Sequence, residues 1–148
     1  MRTNILFVFC IVLFAGCTFK DKKRETINLD FEKLQYIKGS NVSEFTYLSK
    51  NLAILYLSYD CTVCITKIIE FNDKVSEMES VKAIVIGKGD QIMVKNLLHD
   101  QNVSIGVYAI KENETIQSIS NYNLDVVTLL DKDYKLLSRT PFVEFINQ

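Results

Sequence analysis

Residues 52–71, "LAILYLSYDCTVCITKIIEF", decide the fold. The stretch opens as a near-continuous apolar run of strand length, the pattern of a strand buried on both faces. Two cysteines, Cys61 and Cys64, follow at CxxC spacing. Beyond them Cys64, Ile65, Ile68, Ile69, Val75 and Met78 recur at three-, four- and seven-residue spacings, which predicts one apolar helical stripe. Asp60 is an N-cap type of residue placed just before that stripe. A dithiol at such a strand-to-helix junction suits disulfide exchange, a soft metal ion or a structural disulfide.

Downstream, "VKAIVIGKGD" (81–90) predicts a second buried strand, closed by a turn at Gly87 and Gly89. "GKGD" lacks the rest of any phosphate-binding signature. "QIMVKNLLHDQN" (91–102) predicts a shorter helix through Ile92, Met93, Leu97 and Leu98. Strand, helix, strand, helix in this order implies right-handed βαβ connections and a parallel sheet centre. "SIGVYAI" (104–110) reads as a short strand, and "NETIQSISNYNL" (113–124) as a polar helix or loop. Val126–Leu130 and Tyr134–Leu137 predict a hairpin around Asp131-Lys132-Asp133, a turn without glycine. Thr140 and Pro141 fit an N-cap and a first helical position, with Phe142, Phe145 and Ile146 facing inward from a short closing helix. Upstream, residues 26–50 carry scattered anchors (Ile27, Leu29, Phe31, Leu34, Tyr36, Ile37) and a turn at Gly39-Ser40, which predicts a short strand or helix on the domain edge.

The 148 residues are 48% hydrophobic and 24% charged with a net charge of −1, a composition that fits one α/β domain and excludes a basic nucleic-acid-binding stripe. Lys20, Lys22, Lys23 and Arg24 alternate with acids and read as a solvated tether. Residues 1–16 have a positive start at Arg2, an apolar core from Ile5 to Phe14 and the small pair Ala15-Gly16, the layout of an export signal. "LFAGC" resembles the bacterial lipoprotein signal, which implies acylation of Cys17. The expected organisation is therefore a signal peptide over 1–16, a tether over 17–26 and a domain over 27–148 with its core at about 52–148. With Cys10 in the signal and Cys17 on lipid, only Cys61 and Cys64 remain in the folded domain. An exported domain works where disulfides persist.

Strand, CxxC, helix, strand, helix, hairpin and closing helix together resemble the thioredoxin fold, an α/β architecture with a central mixed β-sheet flanked by helices. The similarity runs from about Leu52 to the C-terminus. It is nearest to the membrane-tethered extracytoplasmic thiol-disulfide oxidoreductases of the TlpA and ResA type, whose aromatic-to-strand segment "YNLDVVTLLD" (122–131) echoes. The resemblance implies Cys61 as nucleophile and Cys64 as resolving thiol, flanked by Tyr59, Asp60, Thr62, Val63, Asp125 and Val126. It implies no cofactor beyond a redox-active Cys61–Cys64 disulfide. The implied partners are exported proteins with cysteine pairs or an envelope redox protein. The implied location is the cell envelope, lipid-anchored, with the domain facing the periplasm. Nucleic acid is not an expected partner.

The chain departs from that family in three places. Asp60 precedes the first cysteine, and a carboxylate there disfavours the thiolate. The pair between the cysteines, Thr62-Val63, has no proline. Asp125 stands where the family places a cis-proline facing the dithiol, and a trans peptide is expected at Leu124-Asp125 because a cis bond there would cost about 2.5–4 kcal/mol. Two other readings follow. A Cu(I) or Zn(II) site on Cys61 and Cys64 suits two thiolates, although His99 reads as a lone surface histidine. A binding lipoprotein with a structural disulfide needs no reactive thiolate. The "NVS" and "NET" triplets at 41–43, 102–104 and 113–115 have no role in a bacterial lipoprotein.

Overall fold

A computed structural model of the protein describes residues 24–41, 50–60, 62–114 and 123–148. The signal segment, Cys17, Cys61 and most of the polar stretch at 113–124 lie outside them. Within them a six-stranded mixed sheet is formed by β1 (Leu34–Lys38), β2 (Asn51–Tyr59), β3 (Val81–Gly89), β4 (Gly106–Ile110), β5 (Val126–Leu130) and β6 (Leu136–Pro141). The helices are α1 (Val63–Ser76), α2 (Gln91–Leu98) and α3 (Phe142–Ile146), and a short 3-10 turn at Phe31–Lys33 precedes β1.

The strands lie in the order β1-β4-β3-β2-β5-β6. β2, β3 and β4 are parallel, while β1, β5 and β6 pair antiparallel to their neighbours. The two crossovers step in one direction across the sheet, so the right-handed rule puts α1 and α2 on the same face. Side chains of β2 alternate between two cores. Ala53, Leu55, Leu57 and Tyr59 pack with Cys64, Ile68 and Phe71 of α1, Val94 and Leu98 of α2, and Phe142 and Phe145 of α3. Leu52, Ile54 and Tyr56 join Ile84, Ile86, Tyr108, Ile110 and Leu130, covered by Ile27, Leu29 and Phe31 from the N-terminal segment. Burial on both faces is why β2 reads as an unbroken apolar run.

The edge anchors at 26–50 resolve into β1 and the segment before it. Tyr134 Oᵢ, the main-chain carbonyl, accepts from Ile27 N–H at 2.9 Å and Glu25 carbonyl accepts from Leu136 N–H at 2.8 Å, so residues 25–27 zip onto the chain between β5 and β6. The β5–β6 turn needs no glycine because the Asp131 carboxylate accepts from Asp133 and Lys135 N–H, both at 2.9 Å. Those backbone donors hold the Asp131 pKa below the usual carboxylate value, the Lys135 bond first. Tyr134 takes the left-handed conformation, at φ 57°, and β6 begins at Leu136 rather than at Tyr134.

Two expectations at the C-terminus are corrected. Thr140 and Pro141 belong to β6, pairing with Val127 and Val126. Pro141 sits at the N-cap position with extended ψ 140°, one residue outside the helix. Its fixed φ suits the strand end as well as a helix start, so composition alone did not separate the two. Phe142 and Phe145 face the core as predicted, and Phe145 stacks at a tilt on Phe71 with ring centroids 5.7 Å apart.

Asn72 is a buried polar residue that the apolar stripe did not anticipate. Its Oδ1 accepts from Ser104 N–H at 2.9 Å, Ser104 Oγ at 3.1 Å and Ile105 N–H at 3.3 Å, which pins the entry to β4 against α1. Replacing it by alanine leaves the buried Ile105 N–H without this acceptor and frees Ser104 from α1. Asn72→Ala is expected to lower unfolding free energy by about 1–3 kcal/mol in urea titration, with an unchanged m-value.

Candidate functional site

The site lies where β2 ends. A strand covered on both faces must leave the sheet at its carboxyl end, and here it hands the chain directly to the CxxC segment. The regular helix begins later than expected: Thr62, not Asp60, occupies the N-cap position, and it makes no side-chain cap bond. The Asp60 carboxylate instead accepts from Ser58 Oγ at 2.7 Å. It lies against Gly89, where any Cβ would strike Asp60; Gly89 holds φ 130°, a conformation that favours glycine. Asp60 is thus turned back over β3 rather than forward onto the helix.

Cys64 is the second residue of α1, and it is buried at 2% exposure. Its side chain lies in the helix-side core with Tyr59, Ile68 and Phe71, within one turn of the positive end of the helix dipole. Thr62 and Val63, between the cysteines, are exposed, Val63 at 57%.

Tyr59 is fully buried beside Cys64 in the helix-side core. Its ring crosses β3 over Gly87, which is therefore a strand residue and not part of a turn: a Cβ at Gly87 would collide with the Tyr59 ring. The hydroxyl donates to the Tyr108 main-chain carbonyl on β4 at 2.8 Å. Burial pushes the Tyr59 pKa well up from its ordinary value near 10, and the Cys64 sulfur adds to the shift.

Asp125 is trans, as expected, since no cis peptide bond occurs among the described residues. It adopts the left-handed conformation, at φ 57°, which aspartate tolerates better than most residues. Its N–H donates to Tyr56 O at 3.0 Å, its carbonyl accepts from Phe142 N–H at 2.8 Å, and its carboxylate pairs with Lys67 Nζ at 2.6 Å. One residue thereby ties β2, α1 and α3 together. Lys67 stands three residues after Cys64, on the same side of α1. It is a site neighbour that motif reading missed, because nothing in the sequence pairs it with residue 125. Val126, half-buried, opens β5 next to this joint.

His99 lies at the opposite end of α2 from this site, at the C-cap, exposed and 2.7 Å from Asp100. Among the described residues no group of three or more His, Cys, Asp or Glu side chains converges as a metal site would require. A cleft of about 580 Å³ opens beside Asp60 at the carboxyl ends of β2, β3 and β4.

No family model and no curated protein sequence matches the chain. Solved structures do. A DsbF homologue from Corynebacterium diphtheriae superposes with a TM-score of 0.60 at 9% identity, covering 87% of this chain and 89% of that one. A putative thiol:disulfide interchange protein DsbE from Chlorobium tepidum gives 0.55 at 10% identity, covering 79% and 85%. An uncharacterized thioredoxin-like protein from Porphyromonas gingivalis gives 0.54 at 16% identity, covering 83% and 90%. The domain has a thioredoxin-like fold.

Restoring a proline at 125 is expected to harm the protein. Proline cannot reach φ 57° and has no N–H for Tyr56, so Asp125→Pro should cost about 3 kcal/mol or more in chemical denaturation. Asp125→Gly, which keeps the backbone and loses only the exposed ion pair, should stay within about 1 kcal/mol of the parent. At high pH a second effect appears. Because the folded pKa of Tyr59 is raised, its contribution is complete below the unfolded value of about 10 and is lost as pH rises toward the folded value. Stability should therefore fall above about pH 10, and Tyr59→Phe should flatten that alkaline limb in a pH series of thermal melts.

Proposed function

We propose that the protein is a thiol-disulfide oxidoreductase of the cell envelope, exchanging electrons through Cys61 and Cys64. The observation that carries this reading is the placement of Cys64: buried, in the first turn of a helix, directly after a strand end in a thioredoxin-like fold. The structural neighbour named as a putative thiol:disulfide interchange protein supports the same chemistry.

In the reductive direction the Cys61 thiolate attacks one sulfur of a substrate disulfide. That S–S bond breaks, the other substrate sulfur leaves as a thiolate, and a mixed disulfide forms. The Cys64 sulfur, deprotonated, then attacks Cys61 Sγ. The Cys61–Cys64 disulfide forms, the second substrate sulfur leaves, and two electrons have passed to the substrate. The oxidative direction is the exact reverse. Exposed Thr62-Val63 lets a partner approach between the cysteines, while burial of Cys64 keeps the resolving step inside the domain.

The lipoprotein-type N-terminus supplies the envelope assignment, with acylation at Cys17 as the anchor. Residues 25–27 zip onto the turn between β5 and β6, and Leu130 at the end of β5 pairs with Leu52 at the start of β2. The tether thus joins the domain at the pole where β2 begins, and the dithiol sits at the other, roughly 26 Å along nine residues of strand. A membrane-anchored copy would present its cysteines outward, toward exported proteins with cysteine pairs or an envelope redox partner.

The reading is tested by single serine variants of the protein assayed for exchange with a peptide disulfide. Cys61→Ser should abolish turnover. Cys64→Ser should halt it after the first step and accumulate a mixed disulfide visible by mass. Undiminished turnover in Cys61→Ser would overturn the assignment, and a very negative potential with no turnover in the parent would favour a structural disulfide.

A further inference from the structure

The cleft beside Asp60 is flanked by exposed apolar side chains. Ile92, at the start of α2, is 69% exposed, and Leu124, just before Asp125, is 49% exposed. Ile110 supplies an apolar floor. Three carboxylates share the same walls: Asp60, Asp90 and Glu112. Asp60 accepts only a serine hydroxyl and Asp90 caps α2 through Met93 N–H, both neutral donors. No salt bridge forms to any of the three among the described residues. Among the described residues lining the cleft Lys88 is the cation, and it directs its ammonium to the Glu114 main-chain carbonyl at 3.2 Å.

From this combination we infer that the cleft is a docking site for an extended, cationic and apolar segment of a partner polypeptide, seated next to the dithiol. The inference rests on the redox reading only for why such a segment would carry a cysteine. A lysine or arginine on the segment meets the uncompensated carboxylates, and an adjacent aliphatic side chain lies between Ile92 and Leu124. Asp60 is bonded to Cys61, so a segment held here has its neighbouring sulfur within a residue or two of the nucleophile. Like charge on the segment would be repelled, which makes the site selective as well as adhesive.

Binding and exchange are measured separately on the intact protein in mild detergent. Two fluorescein-labelled peptides with serine in place of cysteine are compared by anisotropy, one with a Lys-Leu flank and one with Glu-Leu. The lysine peptide should bind about tenfold tighter at low salt, and the preference should shrink in high salt. The variant Asp90→Asn/Glu112→Gln should lose that preference at an unchanged melting temperature, because asparagine still caps α2. Equal binding of the two peptides, or binding of neither, would overturn the docking site. A preference undiminished in the double variant would overturn its assignment to Asp90 and Glu112. Cysteine-bearing versions of the same peptides report exchange: charge preference without exchange removes the redox reading and keeps the docking site, and exchange without preference does the reverse.

Discussion

The structure depends on one constraint: β2 has no face to give to water. Leu52 through Leu57 are each at most 2% exposed, so both surfaces of this strand must be covered. Parallel pairing with β3 forces a crossover, and that crossover is α1, laid over the odd-numbered side chains. The even-numbered side chains are met by Ile84, Ile86 and the N-terminal segment. The location of the site follows from the same constraint. A central strand with both faces and both edges occupied is open only at its ends, and the chain leaves at the end where Cys61 and Cys64 stand.

At that end two residues fix the geometry through atoms on other elements. Tyr59 reaches over Gly87 to the backbone of β4, locking the last residue of β2 and walling in Cys64. Asp125 collects bonds from β2, α1 and α3 around a left-handed backbone. Three tethers hold this position, one of them an ion pair exposed to solvent. Screening by salt weakens such a pair. The joint consequently has a rigid part in the two backbone bonds and a softer part in the Lys67 carboxylate contact.

Much of this was legible in the sequence, and the reasons differ by element. β2, β3, α1 and α2 were readable because burial on two faces and on one stripe leaves distinct periodicities. Cys64 on the buried stripe followed from the same spacing. The expectations that shifted all depended on competition between local partners. Asp60 was suited to cap a helix, but the Ser58 hydroxyl two residues back holds its carboxylate. Pro141 suited a first turn, but β6 extends through it. Gly87 looked like a turn because its reason for being glycine is a ring arriving from position 59, and Lys67 went unread because its partner is 58 residues away. Sequence periodicity carries no signal for contacts of that range.

The two poles of the sheet also differ in how closely they follow local rules. At the pole where β2 begins, polar groups are matched with care. Lys38 Nζ donates to the carbonyls of Leu98, His99 and Gln101 at 2.6, 2.9 and 2.7 Å, closing the C-terminus of α2. Asn72 satisfies the approach to β4, and Asp131 satisfies its own turn. At the pole where Cys64 lies several departures fall together: left-handed Asp125, a helix start with no side-chain cap bond, and exposed Val63, Ile92 and Leu124, while left-handed Tyr134 lies at the other pole. Departures of this kind concentrate where a surface is kept for function rather than for the fold.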